Sequence, residues 1–301
     1  MVKLRNYELK TLFENDICKD YSIKLDKIQE GEKVSLFSDV MFKTMFQNEN
    51  RLKYSCKFLS YFLDVSYEEL LTNLKLAKNE TDKKKENDKG ERCDYVALVN
   101  GSYINIEVNN NSSLWTMERN IEYLMRLYSR KVKRNTEYEY TQSISINLNN
   151  FSIKGNDKII DIYTLKNDEG TLLTDKLIII QIYVPNLRKK WYNEGIKSLS
   201  ELERYILTLV ERRIDEAKKL GIGDEIMEEY VDESIEVSDD MNFGESYDKE
   251  WALKDEGRRE GIYEERLEIA KNMLVKGMDL LLISELTGLS TDEIIKLKED
   301  M

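Results

Sequence analysis

Two acidic residues, Asp94 and Glu107, occupy mirror positions about an Asn100-Gly101 dipeptide. Asn-Gly favours a two-residue type I′ turn, and the flanking stretches 92–99 and 102–109 have the composition of β-strands. In such a hairpin the numbers of paired residues sum to a constant, so Asp94 faces Glu107. Directly opposed side chains have Cβ atoms about 4.5–5.5 Å apart, where like charges destabilise the pair. Two carboxylates at this spacing therefore require a proton or a cation.

A hard divalent cation suits this pair of carboxylates. Mg²⁺ binds through one or two carboxylates while keeping water and phosphate ligands, and it can activate water for attack on a phosphodiester. Because side chains alternate along a strand, Asn105 and Asn109 share the face of Glu107. The opposite face, with Ile104, Ile106 and Val108, is predicted to point to the core. On geometry alone a second interpretation stays open, in which Asp94 lies on an exposed face and pairs with Arg92 or a lysine.

The composition narrows the chemistry further. Histidine is absent from the chain, which excludes Ser-His-Asp and Cys-His catalysis and histidine metal sites. Cys18, Cys56 and Cys93 are far apart and form no CxxC pattern, which argues against a disulfide framework or a structural zinc site. Any chemistry must depend on carboxylates, Lys, Tyr, hydroxyl groups or a metal bound by oxygen.

The formal net charge of −12 opposes binding to nucleic acid through bulk charge. A nucleic-acid partner therefore requires a local basic surface. The first residues are charged and lack the apolar run of a signal peptide, and no stretch approaches the ~18 apolar residues of a membrane span. We expect a cytoplasmic protein with no membrane partner.

Hydrophobic periodicity and capping signals predict the elements around the hairpin. Helices are predicted from Ser35 to Phe46 with a Ser N-cap, near Leu52–Leu63, over 114–134, and over 200–220 with a Ser200–Glu203 capping box. Strands are predicted at 141–149, 158–165 and 175–184, the last ending at Pro185. Helices, a hairpin, a helix and further strands in this order indicate an α/β or α+β sheet protein.

The helix predicted over 114–134 has a basic side. Its members are Arg119, Tyr123, Arg126, Arg130 and Lys133, and the opposite side carries Met117, Ile121, Leu124, Tyr128 and Val132. Arginine and lysine contacts to phosphates would supply sequence-independent affinity for DNA. A solvated helix face with a Glu122–Arg126 pair is the alternative.

The C-terminal part of the chain differs in composition. Residues 224–250 are strongly acidic, and we interpret them as a solvated linker or a poorly ordered helix. Residues 251–301 are predicted to form a helical module in which Gly277 and Gly288 interrupt the helices. Residues 290–293, Ser-Thr-Asp-Glu, form a second capping box.

Residues 278–299 have the length and the break of a helix-turn-helix. Their second helix is rich in carboxylates, whereas a recognition helix needs donors for base edges and positive charge for phosphates. From the sequence we therefore favour protein contacts or homo-oligomer formation through these helices over DNA reading.

Several short motifs follow one another in a distinctive order. They are Ser38-Asp39-Val40-Met41-Phe42-Lys43, Asp94, Ile104-Asn105-Ile106-Glu107-Val108-Asn109, Glu118-Arg119…Tyr123…Tyr128, Tyr138, Ser143-Ile144-Ser145-Ile146, Glu256-Gly257-Arg258-Arg259-Glu260-Gly261 and the run from Ile283 to Ser290. Their order and spacing resemble the recombination-promoting nuclease and transposase family of the PD-(D/E)XK nuclease superfamily. The resemblance covers roughly residues 35–301.

The resemblance implies a restriction-endonuclease-like α/β (α+β) core, with a central mixed sheet flanked by helices and a C-terminal helical tail. It implies a DNA endonuclease that uses Mg²⁺ or Mn²⁺ and is linked to recombination or mobile elements. Asp94 would be the motif Asp and Glu107 the acid of the ExK pattern, and together they would hold the metal. The domains expected are an N-terminal extension (1–34), a nuclease-like domain (35–223), the acidic linker (224–250) and the helical module (251–301).

Asn109 departs from the pattern that the resemblance implies. The superfamily usually has Lys at this position and the family commonly has Gln, whereas Asn109 can position water or phosphate but carries no charge. Asp39 would add a third carboxylate, and Lys43, one helical turn later, is a candidate replacement cation; a surface lysine is the alternative. A non-catalytic DNA- or protein-binding module that has lost the ExK lysine is the rival function.

Overall fold

The computed structural model describes residues 17–77, 93–110, 114–129 and 141–299. The chain divides into two compact units between Gly244 and Glu245. The strands are β1 (Ile17–Cys18), β2 (Lys75–Leu76), β3 (Tyr95–Val99), β4 (Ser102–Asn109), β5 (Ser143–Asn149), β6 (Ser152–Ile153), β7 (Ile160–Lys166) and β8 (Leu172–Tyr183). The helices of the first unit are α1 (Asp39–Phe46), α2 (Leu52–Ser60), α3 (Tyr67–Asn73), α4 (Leu114–Ser129), α5 (Val184–Glu194), α6 (Glu201–Val210), α7 (Ile214–Gly221) and α8 (Glu225–Asp239).

The predicted hairpin is present with the predicted register. Val99 pairs with Ser102, and the antiparallel ladder continues to Tyr95 and Ile106. Asn100 and Gly101 have φ angles of 48° and 87°. Positive φ at both central residues is the requirement of a type I′ turn, whose twist matches that of the flanking strands.

A mixed six-stranded sheet in the order β2-β3-β4-β5-β8-β7 forms the centre of the first unit. β4, β5 and β8 are parallel, and α4 lies between β4 and β5 in the chain as a crossover connection requires. The strands on either side of this parallel core pair antiparallel. The expected α/β architecture with a central mixed sheet and flanking helices is therefore confirmed.

One face of the sheet packs on aromatic residues from the helices. Tyr95 of β3 makes edge-on contacts with Phe42 and Phe46 of α1, each with ring centroids 6.4 Å apart. Its hydroxyl donates to Ser55 Oγ of α2 at 3.1 Å. The buried apolar residues of the central strands on this face are Ile104, Ile106, Val108, Ile144, Ile146, Leu148, Ile180 and Ile182.

The opposite face of the sheet is polar and also buried. Glu107 is 1% exposed, and its register partners Asn147 on β5 and Gln181 on β8 are 0% and 3% exposed. Helix α4 buries Met117, Asn120, Tyr123, Leu124 and Leu127. The prediction that one face points to the core is therefore incomplete, because the parallel core of an α/β sheet is covered on both faces.

The chain predicted as one helix over 200–220 forms two helices, α6 and α7. The predicted Ser200–Glu203 capping box is present at the start of α6. Between the helices an extended stretch pairs with the segment before α1, where Lys33 N donates to Arg212 O at 2.7 Å. This bond joins residues far apart in sequence, so helical periodicity gives no sign of it.

Two predicted boundaries of the first unit are corrected. The folded unit begins before residue 35, because Ile23 exchanges two hydrogen bonds with the Asn150 side chain, at 2.7 and 2.8 Å. The segment predicted as an acidic linker contains α8, which buries Met227, Tyr230, Val231, Ser234 and Val237. Its carboxylates lie on the outer face of an amphipathic helix, so of the two interpretations of the acidic segment the helical one applies to Glu225–Asp239.

Pro185 lies in the first turn of α5 and does not only end a strand. Proline is well tolerated there, because the first backbone N–H groups of a helix have no partner within the helix. From the sequence, only the end of a strand is predicted at this place, and no helix.

The second unit contains most of α9 (Met241–Val275), followed by α10 (Leu280–Thr287) and α11 (Thr291–Glu299). The predicted break between the last two helices is present, since Gly288 adopts a left-handed conformation with φ 70°. Its core consists of Ala270, Ile283, Leu289, Ile294 and Leu297. No helix of the described chain is long and apolar enough to cross a membrane.

One buried charge in the first unit gives a test of the fold. Lys33 is 0% exposed, and its Nζ makes no hydrogen bond within the described residues and lies 5.2 Å from the centroid of the Tyr230 ring. Burial lowers the pKa of Lys33 from 10.5 to about 7, although the nearby Glu211 carboxylate opposes the shift. Below pH 7 the Lys33 side chain is charged in the folded protein, and burial of this ammonium group lowers the free energy of unfolding.

We expect Lys33→Met to raise the free energy of unfolding at pH 6 by about 1–4 kcal/mol, because a buried charge is replaced by an apolar chain of similar size. Between pH 7 and 10.5 the unfolded wild-type chain binds a proton that the folded chain does not, so wild-type stability rises with pH. The advantage of the variant should shrink over this range. Urea unfolding at pH 6 and pH 10 measures it, with the exposed Lys218→Met as control. An advantage independent of pH contradicts this account.

Candidate active site

Asp94 and Glu107 meet at the open end of the hairpin. The regular ladder stops at Tyr95, and beyond it each carboxylate binds the backbone of the other strand. Asp94 N donates to Glu107 Oε1 at 3.2 Å, and Val108 N donates to Asp94 Oδ2 at 3.0 Å. These bonds lie beyond the last ladder pair, and each acidic side chain is held by the backbone opposite it.

Helix α1 fixes the position of Asp94 from the other side. Gln47, at the C-terminal end of α1, donates its side-chain N–H to the Asp94 carbonyl. Ser38 caps the start of the helix by accepting from Met41 N at 3.3 Å. The predicted N-cap therefore lies within the run Ser35–Phe46 at Ser38, and the helix begins at Asp39.

The accessory residues predicted on α1 lie within electrostatic range of Asp94. The negative charge of Asp39 raises the pKa of Asp94, whereas the positive charges of Arg119 and Lys43 lower it. Both α1 residues are exposed. The structure therefore brings Asp39, Lys43 and Arg119 into the surroundings of Asp94.

The acidic pair carries an electrostatic cost. Burial and, after it, the charge of the neighbouring Asp94 together raise the pKa of Glu107 to about 8, against the opposing effects of Asn105, the Asp94 backbone and Arg119. Burial also raises the pKa of Asp94. Two carboxylates that resist ionising side by side are a typical arrangement for binding a cation or sharing a proton.

The donor set fits a divalent cation bound largely by water and substrate. Among the described residues no group of three or more His, Cys, Asp and Glu side chains lies close enough to form a metal cage. Mg²⁺ needs only one or two carboxylates, because it keeps several water or phosphate ligands. The Asp94–Glu107 pair, with its excess negative charge, meets that requirement.

Asn109, at the end of β4, is 2% exposed. Its Oδ1 accepts a hydrogen bond from Arg119 Nη2 of α4 at 3.1 Å, and its Nδ2 donates to Asn149 Oδ1 of β5 at 3.0 Å. The side chain predicted to contact water or phosphate is thus engaged on both sides by protein groups.

The predicted basic side of α4 is only partly present. Arg119 is exposed, and Arg126 pairs with Glu122 at 2.6 Å, as the alternative interpretation has it. The expectation that Tyr123 faces outward is wrong, because Tyr123 is 6% exposed and belongs to a cluster with Cys93, Val96 and Leu127. Ile121, predicted in the core, is instead 46% exposed. Arg130 and Lys133 lie outside the described residues.

Three buried polar residues on the sheet face of Glu107 were not singled out from the sequence. They are Asn147, Asn149 and Gln181. The available signal was the alternation of polar and apolar residues in β5, Ser-Ile-Ser-Ile-Asn-Leu-Asn. Such alternation usually marks a strand with one solvated face, but all seven residues of β5 are buried.

Two sequence profiles of known protein families match the chain. The sequence profile described as "PD-(D/E)XK nuclease family transposase" matches residues 36–256. The chain belongs to this family. The profile described as "Rpn/YhgA-like nuclease family, C-terminal HTH domain" matches residues 263–299. No curated protein and no solved structure shows a significant match to the chain.

The assignment of Asp94 and Glu107 to the acidic motif of this family stays a prediction. The match to a helix-turn-helix domain supports DNA as a partner, since this motif places its second helix in the major groove. Glu293 of that helix, whose charge argued against DNA from sequence, accepts from Ser290 N at 2.8 Å and from Tyr263 OH at 2.8 Å. The predicted capping box therefore accounts for part of the acidic character. Homo-oligomer formation stays a prediction.

We expect Glu107→Gln to stabilise the metal-free protein at pH 8 by about 2 kcal/mol, because it removes a buried charge that Asp94 repels. The folded pKa of Glu107 is above its ordinary 4.5, so wild-type stability falls as pH rises from 4.5 towards 8. The advantage of the variant should grow over that range. Urea unfolding in EDTA at pH 5 and pH 8 measures it.

The matched control is Glu203→Gln. The pKa of Glu203 is lowered by its contacts with Lys190 and Ser200, although burial opposes the shift, so this substitution should destabilise the protein. If both variants change stability in the same direction, the repulsion assigned to the acidic pair is not its cause.

Proposed function

We propose that the protein is a DNA endonuclease that hydrolyses phosphodiester bonds with a divalent cation, Mg²⁺ or Mn²⁺, held by Asp94 and Glu107. The observation that carries the proposal is that the half-buried Asp94 and the buried Glu107 are joined by reciprocal side-chain to backbone bonds, at 3.2 and 3.0 Å. The nuclease family supports phosphodiester chemistry, and the transposase description supports a link to recombination or mobile elements. The C-terminal helix-turn-helix match supports DNA as the nucleic acid.

In this proposal each residue near the pair has a defined task. A bound divalent cation would supply Lewis-acid activation of water and neutralise charge on the phosphodiester. Asp94 and Glu107 would provide its protein ligands, and Asp39, at the start of α1, would add negative charge beside them. Lys43, which is exposed on α1, would contact the DNA backbone, which gives affinity without base specificity.

A second candidate function is a nuclease-fold module that binds DNA or protein without cutting. The observation that favours it is Asn109 at the position of the ExK lysine, with its amide 2% exposed and bonded to protein groups. Such a module would keep the fold and the helix-turn-helix while lacking catalysis.

A plasmid-nicking assay distinguishes the two functions. We expect cutting in Mg²⁺ or Mn²⁺, none in EDTA, and a loss of ~100-fold or more for Asp94→Ala and Glu107→Ala, because the charge-stabilising cation is no longer held. Asp215→Ala, which removes an exposed carboxylate on α7, should cut like the wild type. Cutting that survives both site variants would exclude this site.

A thermal measurement tests metal binding apart from activity. A ligand that binds only the folded state raises the melting temperature, so saturating Mg²⁺ should stabilise the wild type and not Glu107→Gln. Cutting absent in every metal, with DNA binding retained, would establish the non-catalytic function.

A further inference from the structure

Three buried amides connect the sheet to Arg119. Asn149 Nδ2 donates to Gln181 Oε1 at 2.8 Å, and Asn109 Nδ2 donates to Asn149 Oδ1 at 3.0 Å. Arg119 Nη2 then donates to Asn109 Oδ1 at 3.1 Å. The chain of bonds crosses β8, β5 and β4 and ends on α4.

The direction of this chain follows from the guanidinium group. Arginine has N–H donors and no acceptor, so the oxygen of Asn109 must face it. The nitrogen of Asn109 then faces Asn149, whose oxygen accepts and whose nitrogen is left to face Gln181. The three amides are 2%, 0% and 3% exposed, so water hardly competes for these bonds. Asn109 is therefore suited to hold Arg119 and poorly suited to contact a substrate itself.

The Arg119 side chain is held by protein contacts and also reaches solvent. Its guanidinium carbon lies 5.8 Å from the centroid of the Tyr123 ring, and that ring is buried. Arg119 itself is exposed. Of its five N–H donors the bond to Asn109 takes one, and a guanidinium binds phosphate oxygens through paired donors.

The bond to Asn109 places Arg119 beside the strand that carries Glu107. Asn109 and Glu107 are two residues apart on β4, so their side chains lie on the same face of the sheet. A cation held at this place lies on the face where the scissile phosphate would approach Glu107. Arg126, two turns further along α4, is instead paired with Glu122.

We propose that Arg119 supplies, from α4, the positive charge that the ExK lysine would supply from position 109, and that Asn109 acts as its positioning residue. The ligand would be the non-bridging oxygens of the scissile phosphodiester. This inference rests on the proposed nuclease function. It explains how the site keeps a positive charge although residue 109 is Asn and not Lys.

The test is a kinetic comparison at saturating duplex DNA. Arg119→Ala should lower kcat by ~100–1,000-fold, the usual effect of removing one charge-stabilising donor. Lys219→Ala, which removes an exposed charge on α7, should leave kcat unchanged. If Arg119 served only as a backbone contact, its loss would raise KM and leave kcat at the wild-type value, which would overturn the proposal.

Restoring the lysine gives the sharper test. Arg119→Ala with Asn109→Lys should recover kcat by ~10-fold or more over Arg119→Ala, whereas Arg119→Ala with Asn109→Leu should not, since only the first returns a positive charge. Equal kcat for the two double variants would overturn the proposal. If the lysine variant fails to fold, Arg119→Lys and Arg119→Gln decide: the charged variant must be the faster, and equal rates overturn it.

A measurement without metal separates this inference from the nuclease proposal. In EDTA, Arg119→Ala should reduce the salt dependence of DNA binding by about one phosphate contact, because one cation no longer meets the backbone. Wild-type cutting that Asp94→Ala abolishes but Arg119→Ala leaves intact would overturn the role of Arg119 alone. A wild type that cuts in neither Mg²⁺ nor Mn²⁺ would overturn both.

Discussion

Repulsion between two carboxylates in a poorly hydrated place is the constraint on which the site depends. Asp94 and Glu107 cannot move apart, because each accepts a backbone hydrogen bond from the opposite strand. Charge interactions strengthen as the local dielectric falls, so burial makes this pair costly when both groups are ionised. The aromatic core on the other face of the sheet has to stabilise the fold against that cost. Such an arrangement is typical of functional sites, whose residues often lower the free energy of unfolding.

The polar layer beneath α4 is organised by the parallel strands. Glu107, Asn147 and Gln181 are register partners across β4, β5 and β8. Parallel pairing keeps side chains of equal position on the same face, so the layer forms one continuous surface. Buried polar groups are tolerable only when they find partners, and the amide chain from Gln181 to Arg119 provides several of these.

The features that the sequence could predict depend on residues close together in the chain. The Asn100-Gly101 turn fixes its own register, and the capping boxes at Ser200 and Ser290 depend on residues three positions apart. The outward assignment of Tyr123 failed because burial on α4 is decided by the strands beneath it. The chain of amides could not be predicted for the same reason, since its members come from three strands and a helix. The presence of the acidic pair was predictable, whereas its bonds to the backbone required the structure.

The two-residue turn has a consequence for how the hairpin pairs during folding. A slip of one residue would send the acids to the aromatic side and bring isoleucines under α4, since alternate side chains point to opposite faces. The misaligned hairpin would bury charge among aromatic rings and leave the amides of β5 without β4 partners. Favourable contacts would be lost on both faces of the sheet at once, so competing pairings of the hairpin are strongly disfavoured. Asp94 and Glu107 are therefore brought together beneath α4 only in chains whose hairpin has aligned correctly.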